Sequence, residues 1–129
     1  MKKPLTKGSI GTATTTVNEN NTALAMGSGN LGVFATPALV ALMEEAACNC
    51  ISGGLEPGQT SVGININISH VAASPLNANI SASATLKEID GRKLTFNMSA
   101  KDENNEIGHG THIRFLVDAE GFMSKLLKK

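Results

Sequence analysis

Two periodicities divide the chain. From Val62 to His70 apolar and polar residues alternate: Val62, Ile64, Ile66, Ile68 and His70 share one parity, with Gly63, Asn65, Asn67 and Ser69 between them. Such alternation marks a half-buried β-strand, and it expects the first set to face a core. Ala78, Ile80, Ala82, Ala84 and Leu86 repeat the pattern. Leu94, Phe96, Met98 and Ala100 answer it after Asp90-Gly91, a hairpin signal. Glu103 to Glu106 is a polar turn before a last long strand from Ile107 to Val117. The Thr- and Ile-rich stretch from Gly8 to Val17 suits a first strand, and Thr22 to Met26 a short second one. Gly121 to Lys129 is expected to end the chain as a short helix.

One segment obeys the other period. After the Gly-rich loop from Met26 to Gly32, Thr36 offers an N-cap hydroxyl and Pro37 suits the first helical position. The helix should run from Pro37 to about Ile51, ended by Gly53-Gly54. Leu39, Met43, Ala46 and Cys50 form one stripe, widened by Val40, Ala47 and Ile51, and even the far side carries Ala41 and Cys48. A helix apolar nearly all round should be wrapped by the rest of the fold. One curved antiparallel sheet around one central helix, an α+β domain over residues 1–129, satisfies this order.

Composition narrows the picture. The chain has 129 residues, enough for one core, and no repeat or linker divides it. It has no Trp or Tyr and four Phe, so Ile, Leu, Val, Met and Ala must fill the core. Eleven basic side chains balance eleven acidic ones, so the electrostatic footprint of a nucleic-acid binder is missing. Lys2, Lys3, Lys7, Lys125, Lys128 and Lys129 cluster at the two ends, as solvated termini or as a local contact for an anionic ligand. The chain has no apolar run of about 18 residues, and its first residues lack the apolar segment of a signal peptide. A cytoplasmic location without a membrane partner is therefore expected. Cys48 and Cys50 fall on different sides of the helix, so free thiols are expected.

Three side chains could carry chemistry. Glu44 borders the apolar stripe, where a carboxylate is costly unless it has partners; the plain alternative is a surface Glu beside Glu45. His70 ends a core-facing row and could meet a helix carboxylate, or serve as a hydrogen-bonded structural His. Thr36 has a complete structural task as an N-cap, at a helix terminus that can also hold an oxyanion or a water. Gly63 interrupts a β-branched strand, which marks a bulge or a close backbone approach. His109 and His112 fall on opposite faces of the last strand, and no further ligand completes a metal set. Arg114 is either an exposed strand charge or a salt-bridge anchor.

The ordered set of segments is more specific than any one of them. Val33-Phe34-Ala35-Thr36-Pro37, Leu42-Met43-Glu44-Glu45-Ala46-Ala47, Leu55 to Gly63, Ser69 to Pro75 and Glu106 to Arg114 together resemble the fluoroacetyl-CoA thioesterase-like branch of the hot-dog superfamily. The resemblance covers nearly the whole length. It implies a hot-dog fold, a homodimer with acyl-CoA sites at the subunit interface, and hydrolysis of a small acyl-CoA with no cofactor beyond the CoA of the substrate. It implies that Thr36, Glu44 and His70 form the catalytic set, with Gly63, Phe34 and Arg114 at the substrate site. Glu is expected to activate water or attack the carbonyl, His to polarise the thioester or protonate the thiolate, and Thr to orient Glu or the water. The fluoroacetyl-specialised members carry an aromatic-rich lid before the Val-Phe-Ala-Thr motif. This chain has Met26-Gly27-Ser28-Gly29-Asn30-Leu31-Gly32 there, which implies a different small acyl group. A non-hydrolysing acyl-CoA binding module and a hot-dog dehydratase are the competing readings.

Overall fold

The computed structural model describes residues 4–128. Strand β1 (Ile10–Thr16) leads into a single-turn helix α1 (Ala23–Met26) and then the long helix α2 (Thr36–Ile51). A 3₁₀ turn (Ser52–Gly54) follows α2. Strands β2 (Gln59–His70), β3 (Asn79–Asp90), β4 (Lys93–Lys101) and β5 (Glu106–Asp118) precede a terminal helix α3 (Ala119–Leu127). The five strands form one antiparallel sheet in the order β1-β3-β4-β5-β2. Strands β1 and β2 are therefore its two edges. The sheet curls around α2, as the alternation requires.

The core lies between the sheet and one side of α2. Leu39, Met43, Ala46 and Ile51 are fully buried against Ile80, Ala82, Ala84 and Leu86 of β3 and Leu94 and Phe96 of β4. Small residues set the spacing. A Cβ on Gly11 would run into the Ala46 carbonyl and the Cys50 backbone, so β1 rests directly on the helix. Truncating a buried side chain such as Met43 to Ala is expected to cost about 2–5 kcal/mol.

Several local expectations are corrected. Thr22–Met26 is not a strand: Thr22 accepts a hydrogen bond from the Ala25 amide and Gly27 closes the turn at φ 71, so the Ala-Leu-Ala-Met run forms helix α1. Helix α2 starts at Thr36, with Ala35 as its N-cap and no side-chain cap, which leaves the Thr36 hydroxyl uncommitted to the helix end. The helix is covered on one side only, since Ala41, Glu45 and Cys48 are exposed. Helix α3 begins two residues earlier than expected, where Asp118 accepts from the Gly121 amide. Lys2, Lys3 and Lys129 lie outside the described residues. Among the described residues no helix is long and apolar enough to cross a membrane.

The correction that matters most lies in β2. Its register against β5 shifts between Gly63 and Asn65. A bulge inserts one extra residue and inverts the parity that follows. Ile66, Ile68 and His70 turn inward as expected, whereas Ile64 is 56% exposed. On the other side of the bulge Gly63, not Val62, faces the Glu44 carboxylate.

Candidate active site

Two clusters form along α2. At its N-terminal end the Thr36 Oγ1 lies 2.8 Å from His70 Nδ1. Starting the helix one residue early frees this hydroxyl for the ring. The end of β2 supplies the His, and the chain after it is pinned: the Val71 amide donates to the Ile107 carbonyl at 2.7 Å, and buried Ser74 donates to Asp102 at 3.1 Å. Phe34 is 1% exposed and presents its ring edge-on to His70, with centroids 6.5 Å apart. The second ring nitrogen of His70, Nε2, is buried and has no hydrogen-bond partner among the described residues. Burial pushes the His70 pKa below the usual histidine value, partly offset by the Ala72 backbone. The ring is therefore neutral at neutral pH. Thr36, His70, Phe34, Val33, Ala23 and Ser28 line a cavity of about 260 Å³ beside it.

The second cluster surrounds Glu44. Thr36 and Glu44 are eight residues apart on one helix, a rise of about 12 Å. Glu44 Oε2 meets Arg114 Nη1 at 3.5 Å. The guanidinium is held from β2: Nε donates to Ser61 Oγ at 2.7 Å and Nη2 to the Ser61 carbonyl at 3.0 Å. Arg114 is 7% exposed, so it is an anchor and not a surface charge. His112, on the same face of β5, places Nδ1 2.8 Å from the Asn65 carbonyl and Nε2 3.2 Å from Arg114 Nη1. Gly63 leaves the room that this cluster occupies. A Cβ there would sit 2.9 Å from Glu44 Oε2, 3.1 Å from His112 and 3.2 Å from Arg114.

The fold thus joins Thr36 to His70 and Glu44 to Gly63 and Arg114. Phe34 backs the first group as a buried wall. Within one chain the two groups occupy different levels of the helix. Ser61 and His112 were not among the expected site residues. Parity could have found His112, two residues before Arg114; Ser61 owes its place to the bulge that follows it.

The profile of the fluoroacetyl-CoA-specific thioesterase family matches residues 17–120. The fluoroacetyl-CoA thioesterase of Streptantibioticus cattleyicolor is 40% identical over 97 residues, which is 75% of this chain and 70% of that protein. A crystal structure of a point variant of the fluoroacetyl-CoA-specific thioesterase superposes with a TM-score of 0.92 at 32% identity, covering 98% of both chains. A Thermus thermophilus protein of the thioesterase superfamily shares the fold at a TM-score of 0.90 and 21% identity, over 98% of this chain and 93% of its own. The chain has the hot-dog fold and belongs to the fluoroacetyl-CoA-specific thioesterase family of acyl-CoA thioesterases.

Proposed function

We propose that this protein hydrolyses a small acyl-CoA to the free acid and CoA, using Thr36, Glu44 and His70. The observation that carries the reading is the setting of the His70 ring. One nitrogen is held by Thr36, and the other is buried and unpartnered beside a small, largely apolar cavity. With the Thr36 hydroxyl donating to Nδ1, His70 carries its proton on Nε2. That N–H can polarise a thioester carbonyl and then protonate the departing thiolate. Glu44 drives the substitution at the acyl carbon, where a new C–O bond replaces the C–S bond. The Gly63 backbone N–H, with no side chain in the way, approaches the thioester carbonyl near Glu44. Phe34 walls the acyl cavity, and Arg114 supports Glu44. The solved relatives include a variant of the fluoroacetyl-CoA-specific thioesterase in complex with fluoroacetate and CoA. The Gly-rich segment at this chain's lid argues for another short acyl group. The protein needs no cofactor other than the CoA of its substrate. It works in the cytoplasm, without nucleic-acid or membrane partners.

The working unit is a homodimer. Thr36–His70 and Glu44 stand about 12 Å apart along the helix, too far for one carbonyl within a chain. The edge strand β2, with Ile64 exposed, offers the surface across which a second copy could bring its own Thr36–His70 pair to Glu44.

A thiol-release assay on a panel of short acyl-CoAs tests the activity. Turnover that Glu44→Ala abolishes is expected; wild-type inertness toward both acyl-CoA and acyl-carrier substrates would refute it. A single turnover in ¹⁸O-water separates the two routes at Glu44. Label in the Glu44 carboxylate marks direct attack, through a mixed anhydride that water opens at Glu44; water that adds at the acyl carbon, by either route, labels only the released acid.

A further inference from the structure

We propose that His112 is a positioning residue for Glu44: as a neutral acceptor it shares the Arg114 guanidinium and keeps it from closing on the carboxylate. The inference rests on the reading of Glu44 as the reacting carboxylate.

Two contacts fix the state of the ring. A guanidinium has only N–H donors, so His112 Nε2, 3.2 Å from Arg114 Nη1, must be bare and accept. The Asn65 carbonyl can only accept, so His112 Nδ1, 2.8 Å away, carries the proton. Both nitrogens are therefore used, unlike those of His70. The ring is 1% exposed and stacks on Phe96, with centroids 6.0 Å apart and planes at 29°. A Cβ on Gly63 would come within 3.1 Å of the ring's Cε1. The charged groups that bear on it are Arg114 from β5 and Glu44 from α2, while β2 presents Gly63 and the Asn65 carbonyl and β4 presents Phe96. Protonation would set a second N–H against Nη1. Burial pushes the His112 pKa below its usual value; the Asn65 backbone hydrogen bond opposes it most, the Arg114 charge adds less to the lowering, and Glu44 opposes it least.

The consequence falls on Glu44. Ser61 takes the Nε donor and one of the two Nη2 donors of Arg114, while Nη1 faces both His112 and Glu44. Nη1 lies nearer the His112 nitrogen, at 3.2 Å, than the carboxylate, at 3.5 Å. A closed Arg–carboxylate pair sits at about 2.7–2.9 Å. A carboxylate in such a pair has its lone pairs occupied and is a poorer base or nucleophile. By drawing Nη1 away, His112 leaves Glu44 held but available. The bulge makes this possible, because it turns the Asn65 carbonyl toward the ring that completes the chain of contacts.

Two measurements test the inference on the full-length protein. Nitrogen-15 NMR of labelled histidine should show His112 protonated at Nδ1 and bare at Nε2 at pH 7. A ring protonated at Nε2, or an imidazolium, would overturn the proposal without any variant being made. Kinetics form the second test. His112→Gln keeps a carbonyl acceptor for Nη1, whereas His112→Phe keeps the stack on Phe96 and offers none. His112→Phe should lower kcat about tenfold with KM within about twofold, the pattern of an interaction lost in the chemical step. His112→Gln should recover most of that loss. Equal kcat in both variants, with Tm and near-ultraviolet circular dichroism matched, would overturn the proposal. Glu44→Gln is assayed alongside. If it keeps the wild-type rate, the reading of Glu44 fails and this inference with it. If it is inactive while His112→Phe matches wild type, only this inference fails.

Discussion

Two histidines on adjacent strands, His70 half-buried and His112 buried, do opposite things with their ring nitrogens. His70 uses Nδ1 on Thr36 and leaves Nε2 buried without a partner. His112 uses both, on the Asn65 carbonyl and on Arg114. Burial keeps both rings neutral near pH 7. The difference lies in where each ring points. His70 ends its strand and lines a cavity with Thr36 and Phe34, and its enclosed Nε2 is left unpartnered there. His112 lies mid-strand, fully buried and stacked on Phe96, where an unpaired nitrogen would only be a cost. An unspent polar atom at a cavity is a catalytic resource, and a fully spent one in the core holds something else in place.

Substitutions can break or sharpen this contrast. The largest effect is expected at the carboxylate and the open histidine. Glu44→Gln should lower kcat by about 10³-fold and His70→Ala by about 10²-fold, the scale of lost acid–base or nucleophilic help. Steady-state thiol release measures both, and wild-type kcat in either would break the assignment. Gly63→Ala comes next. Its Cβ would meet Glu44 Oε2 at 2.9 Å, and a misplacement of this kind is expected to cost about 10- to 100-fold in kcat. Gly63 is exposed and has no positive φ, so Tm should barely move. A large drop in Tm with kcat unchanged would mean that the glycine serves the fold and not the site. Thr36→Val removes the hydroxyl that fixes the His70 tautomer and should cost about tenfold, with Thr36→Ser close to wild type.

The smallest effect is on stability. Both histidine pKa values are lowered in the folded protein, so the unfolded chain binds more protons once pH falls below about 6.5. Stability contributed by these neutral rings is complete above that pH and is lost as pH falls toward the folded values. A thermal-unfolding series should show a flat Tm above about pH 7 and a decline below about 6.5. His112→Gln should reduce that decline. A Tm that rises on acidification through this range would contradict the buried-neutral description of both rings.

Much of this molecule is legible in its sequence, and what is not has physical reasons. Alternation on β3, β4 and β5 and the apolar stripe of α2 give the sheet around a helix, because period 2 and period 3.6 record which faces are buried. The bulge defeats alternation. Ile64 continues the apolar pattern although it points outward, and only Gly63 in mid-strand hints at the shift. The start of α2 moves by one residue because Pro37 is accepted anywhere in the first turn, so it could not decide whether Thr36 caps the helix or joins it. Helix α1 was hidden because four residues carry too little pattern for either period. The Arg114–His112–Asn65 chain spans 47 residues of sequence between its last two members, and no local signal links them.

The central claim is that Thr36–His70 of one copy and Glu44 of another act on the same thioester. Mixing two inactive proteins, Glu44→Gln and His70→Ala, tests it directly. If the site is shared across a two-fold axis, each mixed dimer regains one intact site, and random exchange should restore about a quarter of wild-type activity. If all three residues act within one chain, no mixed dimer has an intact site. Mixing under conditions where subunit exchange is verified would then leave the activity at the level of the separate variants, and the shared-site account would be wrong.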